Sequence, residues 1–177
     1  TTKPVTTIPQ QQAETPAGVE KAANNGDSFG YWNLGNLYKD GRGVKQDYSK
    51  ALSLFKQAAS MGNKHAMMEI ANMYRFGKGI ELDKEEARDW LNKAMIAGDE
   101  QAKRELAYWL ITDGQKKDQS LGLKYYMELA QEGNEDALYN LGEFYENIVN
   151  DIKHAIFWYR KGALKKELRC IDALKRL

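Results

Sequence analysis

Small and large apolar residues recur along the chain at the spacing of α-helices. Leu34 follows Gly30 by four residues and Tyr38 follows Leu34 by four, while Ala51 and Phe55 are spaced in the same way. Residues three or four apart lie on one face of a helix, whereas a strand would place every second residue on one face. The pattern therefore predicts amphipathic helices, with polar residues on the opposite faces.

The whole pattern returns after 36 residues, and weaker copies follow. Self-similarity at a fixed period of this length indicates a repeat architecture. Residues 102–133 form a third copy and residues 137–163 a fourth, both with a shorter loop between the helices. Each position keeps its character from the first copy to the second: Gly30, Leu34, Gly35, Tyr38, Gly41, Gly43, Val44, Asp47, Ala51, Phe55, Ala58 and Gly62 return as Ala66, Ile70, Ala71, Tyr74, Gly77, Gly79, Ile80, Asp83, Ala87, Leu91, Ala94 and Gly98.

Polar residues and glycines mark where the predicted helices begin and end. An aspartate before a helix can accept a hydrogen bond from an unpaired backbone N–H, and a glycine after a helix adopts the left-handed conformation that ends it. The expected caps of the second helix of each copy are Asp47, Asp83, Asp118 and Asp151, and the expected terminating glycines are Gly62, Gly98 and Gly133.

The fold predicted from these patterns is all-α, a right-handed α-solenoid of about four helix-turn-helix repeats over residues 17–177. Ala22, Ala23 and Gly26 predict a partial leading repeat, and Cys170 with Leu174 a partial trailing one. Residues 1–16 are rich in Thr, Pro and Gln and are expected to form a flexible tail or tether. Such a beginning suits a processed exported protein, a lipoprotein or a shortened chain, and the sequence does not separate these.

The repeat resembles the Sel-1-like family, relatives of the tetratricopeptide repeats with a longer, glycine-containing turn. The resemblance implies a scaffold that binds proteins: an adaptor in signalling, envelope or quality-control complexes, or a bacterial immunity protein. A cysteine-rich branch is linked to penicillin binding or hydrolysis, but its paired cysteines are missing here. The residues that carry the resemblance are Leu34-Gly35-x-x-Tyr38-x-x-Gly41-x-Gly43-Val44-x-x-Asp47-x-x-x-Ala51 and Ala58-Ala59-x-x-Gly62.

The charge and the cysteine content of the chain argue against several classes of function and of site. The chain has 26 Lys and Arg residues against 25 Asp and Glu residues, a net charge of +1, which does not suit a nucleic-acid binder. Its one cysteine, Cys170, excludes an internal disulfide and a cysteine-based zinc site and is expected to pack in the core. We expect a periplasmic or cell-envelope location, with a cytoplasmic one left open.

Catalytic, metal and cofactor sites are not expected. Gly41-Arg42-Gly43 resembles a phosphate-binding loop. It follows a predicted helix rather than a strand and recurs with the repeat, so we interpret it as a turn. His65 and His154 lie in different repeats, and neither has a second ligand at helical spacing. The sequence thus predicts a protein that is not an enzyme, that uses no cofactor and that has no metal site.

Residues that vary between repeats on the first helices are the candidate binding residues. By analogy with tetratricopeptide repeats they should line a concave groove, and Trp, Tyr, Arg and Met are enriched at binding hot spots. Basic residues at the beginning of the groove and acidic ones at its end would orient a partner. The candidates are Trp32, Asn36, Lys39, Met68, Asn72, Arg75, Arg104, Tyr108, Tyr139, Glu143 and Glu146.

The predicted function is a non-enzymatic scaffold that holds a partner protein in this groove. One form of it is an envelope immunity protein that blocks a secreted toxin, and another is an adaptor or regulator with weaker, exchangeable binding. An enzyme acting on cell-wall or β-lactam compounds is the third hypothesis. Affinity would separate the first two, since an inhibitor is expected to bind at nanomolar concentrations and an adaptor at micromolar ones.

Overall fold

The computed structural model describes residues 18, 21, 23, 26–112 and 116–177, with the backbone alone for 116 and 117. Within these residues all regular structure is helical and no strand occurs. Contacts divide the chain into two compact units, Thr1–Ala102 and Lys103–Leu177. The predicted tail, residues 1–16, lies outside the described residues.

The helices of the first unit begin at the polar residues that the sequence marked. The Asp47 carboxylate accepts a hydrogen bond from the backbone N–H of Lys50 at 2.9 Å, and Asp83 caps the next repeat in the same way. Gly62 and Gly98 have φ angles of 83° and 82°, as predicted for the residues that end the second helices. These helices are α1 (Ser28–Asp40), α2 (Tyr48–Ser60), α3 (Lys64–Phe76) and α4 (Lys84–Ile96).

The turn inside each of these repeats depends on glycine. Gly79 has a φ of 73°, and a Cβ at this position would lie 2.1 Å from the Cβ of Tyr48, so no other residue fits without a backbone shift. The turn closes where the backbone N–H of Asp83 donates to the carbonyl of Tyr74 at 3.0 Å. Asp47 and Tyr38 make the same bond at 2.9 Å, so the two loops have equivalent closing contacts.

In the first unit, the two helices of each repeat pack through side chains of complementary size. Phe55 is fully buried, and its ring lies so close to Gly35 that a Cβ there would be 2.5 Å from the nearest ring carbon. In the next repeat Leu91 and Ala71, both buried, occupy the equivalent positions. A larger side chain on the second helix is therefore matched by a smaller one on the first.

The second unit has helix pairs of the same kind with different boundaries. The helix α5 begins in the first unit, and its residues from 103 onward belong to the second. The expected cap at Asp118 is wrong, because α6 already begins at Lys116 and Asp118 lies in its first turn. Asp151 caps the next second helix as predicted, accepting from the N–H of His154 at 3.1 Å. The helices are α5 (Glu100–Thr112), α6 (Lys116–Gln131), α7 (Glu135–Glu143), α8 (Ile152–Leu164) and α9 (Leu168–Arg176).

A π-helical turn, Phe144–Ile148, replaces the glycine turn after α7. The N–H of Val149 donates to the carbonyl of Phe144 at 3.1 Å, the five-residue spacing that defines this geometry. Asn150, with a φ of 58°, supplies the left-handed residue, and Asp151 then donates to the carbonyl of Tyr145 at 2.7 Å. A loop three residues shorter reaches the same closing bond.

Tyrosines fill the core of the second unit. Tyr159 is fully buried against Gly142, where a Cβ would lie 2.2 Å from the ring. Cys170 is buried against Gly162, as expected for a packed thiol, and burial raises its pKa to about 12. Its helix α9 is the predicted partial repeat at the end of the chain.

The predicted fold class is confirmed as an all-α chain of helix-turn-helix repeats. At the beginning of the chain, Ala23 is buried and packs with Leu34 and Leu37, which suits the predicted partial leading repeat. The handedness of the superhelix stays a prediction. No helix in the described part of the chain is both long and apolar enough to cross a membrane.

Candidate functional site

Side chains on the first helices form contacts from one repeat to the next. The ring of Trp32 on α1 lies 5.5 Å from the ring of His65 on α3. In the second unit Arg104 on α5 pairs with Asp136 on α7. Trp32 and Arg104 occupy equivalent positions, and each meets the residue just before the small residue that opens the next first helix. The candidate residues at this position therefore act partly as links between repeats.

Tyr139 continues the same series in the second unit. The guanidinium of Arg169 on α9 lies 4.7 Å from the centre of the Tyr139 ring, a cation–π contact. Arg169 also pairs with Asp136, so one aspartate on α7 holds arginines from α5 and α9. A hydrogen bond to Glu167 and the pairing with Asp136 raise the pKa of Arg169 above its usual value.

Two of the eleven candidates do not offer an exposed surface. Asn36 is 9% exposed and Met68 is 7% exposed, and both count among the buried residues of the first unit. Both residues lie on first helices, as the sequence predicted, but the structure buries their side chains. Asn36 and Met68 are therefore removed from the predicted binding surface.

The exposed polar face of the first unit is built around an ion pair. The ammonium of Lys39 lies 2.9 Å from the Glu69 carboxylate, linking α1 to α3. Asn72 lies beside this pair in an open polar depression. The Arg75 guanidinium lies 5.2 Å from the centre of the Phe76 ring, which is 57% exposed. This face thus presents one paired charge and an aromatic–cation contact to solvent.

The acidic candidates of the second unit are held by neighbouring side chains. The Tyr139 hydroxyl donates to Glu143 at 2.7 Å, and burial with this bond raises the pKa of Tyr139 to about 12. Glu146 accepts from the buried Tyr159 hydroxyl at 2.7 Å and from Arg176 at 2.8 Å. Burial, the bond to Glu146 and its charge together raise the pKa of Tyr159. Glu146 is therefore paired with a cation inside the unit, whereas the partner of Glu143 is a neutral hydroxyl.

Tyr108 is the most exposed aromatic candidate on a first helix and borders a small pocket. Its side chain is 52% exposed. The pocket has a volume of about 160 Å³ and lies at the π-helical turn, with α5, α6 and α7 around it. Its wall consists of Tyr108, Ile111, Thr112, Tyr126, Asn140, Glu143, Phe144, Asn147 and Ile148.

The histidines make contacts that explain them without a ligand. His154 Nδ1 lies 2.6 Å from Asp151 and belongs to the helix cap. His65 lies against Trp32 and is 3.8 Å from Asp99. Among the residues that the structure describes, no group of three His, Cys, Asp or Glu side chains is placed to hold a metal ion.

Sequence reasoning missed residues that the structure adds to these faces. Glu69, Asp136 and Arg176 form ion pairs with candidates from a neighbouring repeat, and Arg169 lies over the ring of the candidate Tyr139. The signal that could have found Asp136 and Arg169 is their shared position, one residue before the small residue that opens each first helix. Equivalence between repeats identifies such positions, but it does not tell which of them touch.

The Sel1 repeat pattern matches the chain at residues 28–63, 64–99, 101–134 and 135–166. The chain belongs to the Sel1 repeat family. Repeats of this family mediate protein–protein interaction. No curated protein matches the chain in sequence.

Solved structures of other Sel1 repeat proteins resemble this one. A Sel1 repeat protein from Oxalobacter formigenes has a TM-score of 0.76 and 27% identity, over 92% of this chain and 68% of that one. A protective antigen from uropathogenic Escherichia coli has a TM-score of 0.71 and 26% identity, over 88% of this chain. An immunity protein from Pseudomonas aeruginosa has a TM-score of 0.56 and 29% identity, over 90% of this chain. This Sel1 chain spans 34% of the length of the antigen and 60% of that of the immunity protein.

Proposed function

We propose that this Sel1 repeat protein is a non-catalytic immunity protein of the cell envelope. It binds one cognate toxin through the exposed residues of its first helices and blocks the toxin by covering it. Catalysis, a cofactor and a metal have no part in this function.

The observation that carries the proposal is the likeness to solved immunity proteins. Two such proteins from Pseudomonas aeruginosa match at 29% and 27% identity, over 90% and 91% of this chain. The TM-score is 0.56 for both. Because a fold alone does not fix a function, the surface chemistry has to support the same conclusion.

The exposed face of the first helices suits a protein partner. Arg75 and Tyr108 belong to the residue types that most often dominate binding energy, and Tyr108 is half exposed beside an apolar pocket. In the first unit, Glu69 lies on the same helix as Arg75 and pairs with Lys39. Aromatic and arginine side chains beside polar groups are common in protein interfaces.

The experiment is co-production with the proteins encoded beside this gene. An immunity protein restores growth of cells that make its toxin and binds that toxin with a Kd of about 1 nM or below. Growth restoration together with tight binding supports the proposal. Growth that is not restored by this protein for any neighbouring product overturns it.

Matched variants locate the surface. Arg75→Glu with Tyr108→Ala should weaken binding by about 100-fold, since each change removes a hot-spot side chain. The control, Lys56→Glu with Gln57→Ala, changes exposed residues of the second helix α2 and should leave the Kd within about twofold. Equal effects of the two variants would place the interface away from the first helices.

The second candidate function is an adaptor or regulator of an envelope complex, favoured by the internal pairing of the charged face. Glu143 and Glu146 are already bonded within the second unit, which lowers the gain from a new ion pair. An adaptor would bind with a Kd of about 1 μM and would not restore growth in the presence of a toxin.

A further inference from the structure

Three large apolar side chains are exposed near the turn between α8 and α9. Leu164 at the end of α8 is 86% exposed, and Leu168 at the beginning of α9 is 72% exposed. Phe157 lies two turns before Leu164 on the same face of α8 and is 48% exposed. Single exposed apolar residues are ordinary, whereas several grouped together indicate an interaction site. With the lysines among them they form the α8–α9 surface: Phe157, Lys161, Leu164, Lys165, Lys166 and Leu168.

The repeat architecture does not require apolar residues at these three positions. The equivalent positions of the earlier repeats are exposed or half-exposed, and all but one of their residues are polar or charged. Since a further repeat follows each of them, stacking of repeats does not bury these positions. The equivalents are Ser53, Asp89 and Lys124 for Phe157, Ser60, Ile96 and Gln131 for Leu164, and Lys64, Glu100 and Glu135 for Leu168.

A lysine occupies the left-handed position of the turn. Lys166 has a φ of 67°, where the earlier repeats have glycines such as Gly62. Its N–H donates to the carbonyl of Ala163 at 2.9 Å, just as the N–H of Gly62 donates to that of Ala59 at 2.9 Å. Left-handed backbone is strained in a residue with a Cβ, and such strain is concentrated at functional sites. The turn itself therefore does not explain why a lysine stands here.

This surface belongs to a strongly basic part of the chain. Residues 152–177 contain 8 of the 26 Lys and Arg residues but only 2 of the 25 Asp and Glu residues. Their net charge is +6, whereas the rest of the chain has a net charge of −5. A nearly neutral protein thus has one end that attracts anions.

The lysines of the surface keep their charge uncompensated. The ammonium of Lys161 lies 4.6 Å from the centre of the Phe157 ring, so a cation and an apolar ring are adjacent. Lys165 donates to the carbonyl of Gly133 at 3.2 Å, which is not a charged partner. The ion pairs that the described part of α9 and its turn forms involve Arg169, Lys175 and Arg176 instead.

This combination favours an anionic lipid bilayer over other anionic partners. Protein interfaces are depleted in lysine. A nucleic-acid duplex would bind the cations through its phosphates but would leave the leucines in water. A bilayer takes up leucine and phenylalanine at the boundary between headgroups and acyl chains, while lysine ammonium groups remain among the phosphates.

We propose that the α8–α9 surface binds peripherally to an anionic phospholipid bilayer. Leu164 and Leu168 enter the headgroup region, Phe157 lies at its level, and the three lysines contact the lipid phosphates. The surface contains none of the eleven candidate groove residues. Membrane binding is therefore separate from the proposed immunity function, and each can be tested without the other.

The test measures binding of the purified full chain to lipid vesicles by co-sedimentation. One set contains phosphatidylglycerol and phosphatidylcholine in equal parts, and the other contains phosphatidylcholine alone. We expect about 100-fold tighter binding to the anionic vesicles, because each of three lysines contributes about fivefold at an anionic surface. Absence of binding to the anionic vesicles, or equal binding to both sets, would overturn the proposal. Tighter binding to poly-L-glutamate than to the anionic vesicles would also overturn it and would assign the surface to an acidic protein.

A double variant tests insertion of the leucines. Leu164→Gln with Leu168→Gln retains every charge and should weaken binding to the anionic vesicles by at least about tenfold, since two leucines no longer leave water. The control, Leu82→Gln with Ile96→Gln, makes the same changes at residues of the first unit that are 56% and 75% exposed, and should leave the affinity unchanged. Wild-type affinity in the Leu164 and Leu168 variant would contradict insertion.

Lys166→Gly tests the charge without loss of stability. Glycine is the residue of the earlier repeats and relieves the left-handed strain, so the Tm should not fall. Binding to the anionic vesicles should nevertheless weaken about fivefold. Lys166→Arg keeps the charge and should bind as the wild type does. Unchanged binding in Lys166→Gly would contradict the contact of this lysine with the bilayer.

Discussion

The two units solve the same problem, turning from a first helix to a second, in different ways. In the first unit the turn uses glycines such as Gly79 and closes between Asp83 and Tyr74. In the second unit a π-turn and Asn150 reach the equivalent bond between Asp151 and Tyr145. The backbone hydrogen bond from the capping aspartate to the tyrosine is retained although the loop differs. We infer that the helix-turn-helix unit requires this bond rather than a particular loop.

The two kinds of turn also lie beside different surface features. The regular turn of the first unit leaves an open polar depression around Lys39 and Glu69. The widened helix of the second unit opens an apolar pocket beside Tyr108 instead. The loss of the glycine pattern in the fourth repeat is therefore accompanied by a pocket at the π-helical turn.

The largest effect is expected for a side chain added in the glycine turn of the first unit. Gly79→Ala combines left-handed strain with a contact of 2.1 Å to the Cβ of Tyr48, and should lower the free energy of unfolding by about 4 kcal/mol. Hydrogen exchange of α2 and α4 amides measures it. The matched change, Asn150→Gly, should alter protection in the second unit by less than about 1 kcal/mol. Equal losses would mean that the two turns are under the same constraint.

The next effect compares two glycines that face aromatic rings. Gly142→Ala should cost about 3 kcal/mol, because the Tyr159 ring that it meets is held by the bond to Glu146. Gly35→Ala should cost about 1–2 kcal/mol, since it meets the unbonded ring of Phe55, which can shift. Denaturant unfolding with probes in each unit measures both, and a reversed order would show that the hydroxyl bond does not hold the ring.

A smaller effect is expected for the ion pairs between first helices. Asp136→Asn weakens contacts to Arg104 and Arg169 together and should cost about 1 kcal/mol, while Glu69→Gln affects one pair and should cost about 0.5 kcal/mol. Both losses should shrink as salt is added. Thermal unfolding at low and high ionic strength tests this, with Glu81→Gln, an exposed carboxylate, as the control.

Much of the fold could be predicted from the sequence because the same residue types recur at equivalent positions of successive repeats. The caps at Asp47 and Asp83 follow from positions that recur in each repeat. Asp118 was misassigned because its loop has another length, so equivalence by counting fails there.

The candidate site could be predicted only in part, for a physical reason. Periodicity shows which face of a helix a residue occupies, but the burial of Asn36 and Met68 depends on the side chains that pack against them from neighbouring helices, and periodicity does not show these. The pocket could not be predicted at all, because the π-turn that opens it leaves no pattern of apolar residues. Contacts such as Tyr139 with Arg169 join different repeats, and a single sequence does not reveal such pairs.

The smallest expected effect is on the stability of α9 at low pH. Burial acts to raise the pKa of Glu167, but hydrogen bonds from Arg169 and the N–H of Cys170 outweigh it and hold the pKa below its usual value. A carboxylate with a lowered folded-state pKa stabilises the fold above its unfolded value of about 4.3, and this contribution is lost as the pH falls through the folded pKa. Glu167→Gln should therefore lower the stability of α9 at pH 7, and its difference from the wild type should shrink as the pH falls through the folded-state pKa of Glu167. Hydrogen exchange of α9 amides, followed over a series of decreasing pH values against α2 amides as the reference in the first unit, measures the difference. A deficit in Glu167→Gln that stays constant over the whole acid series would show that shape rather than charge explains the role of this cap.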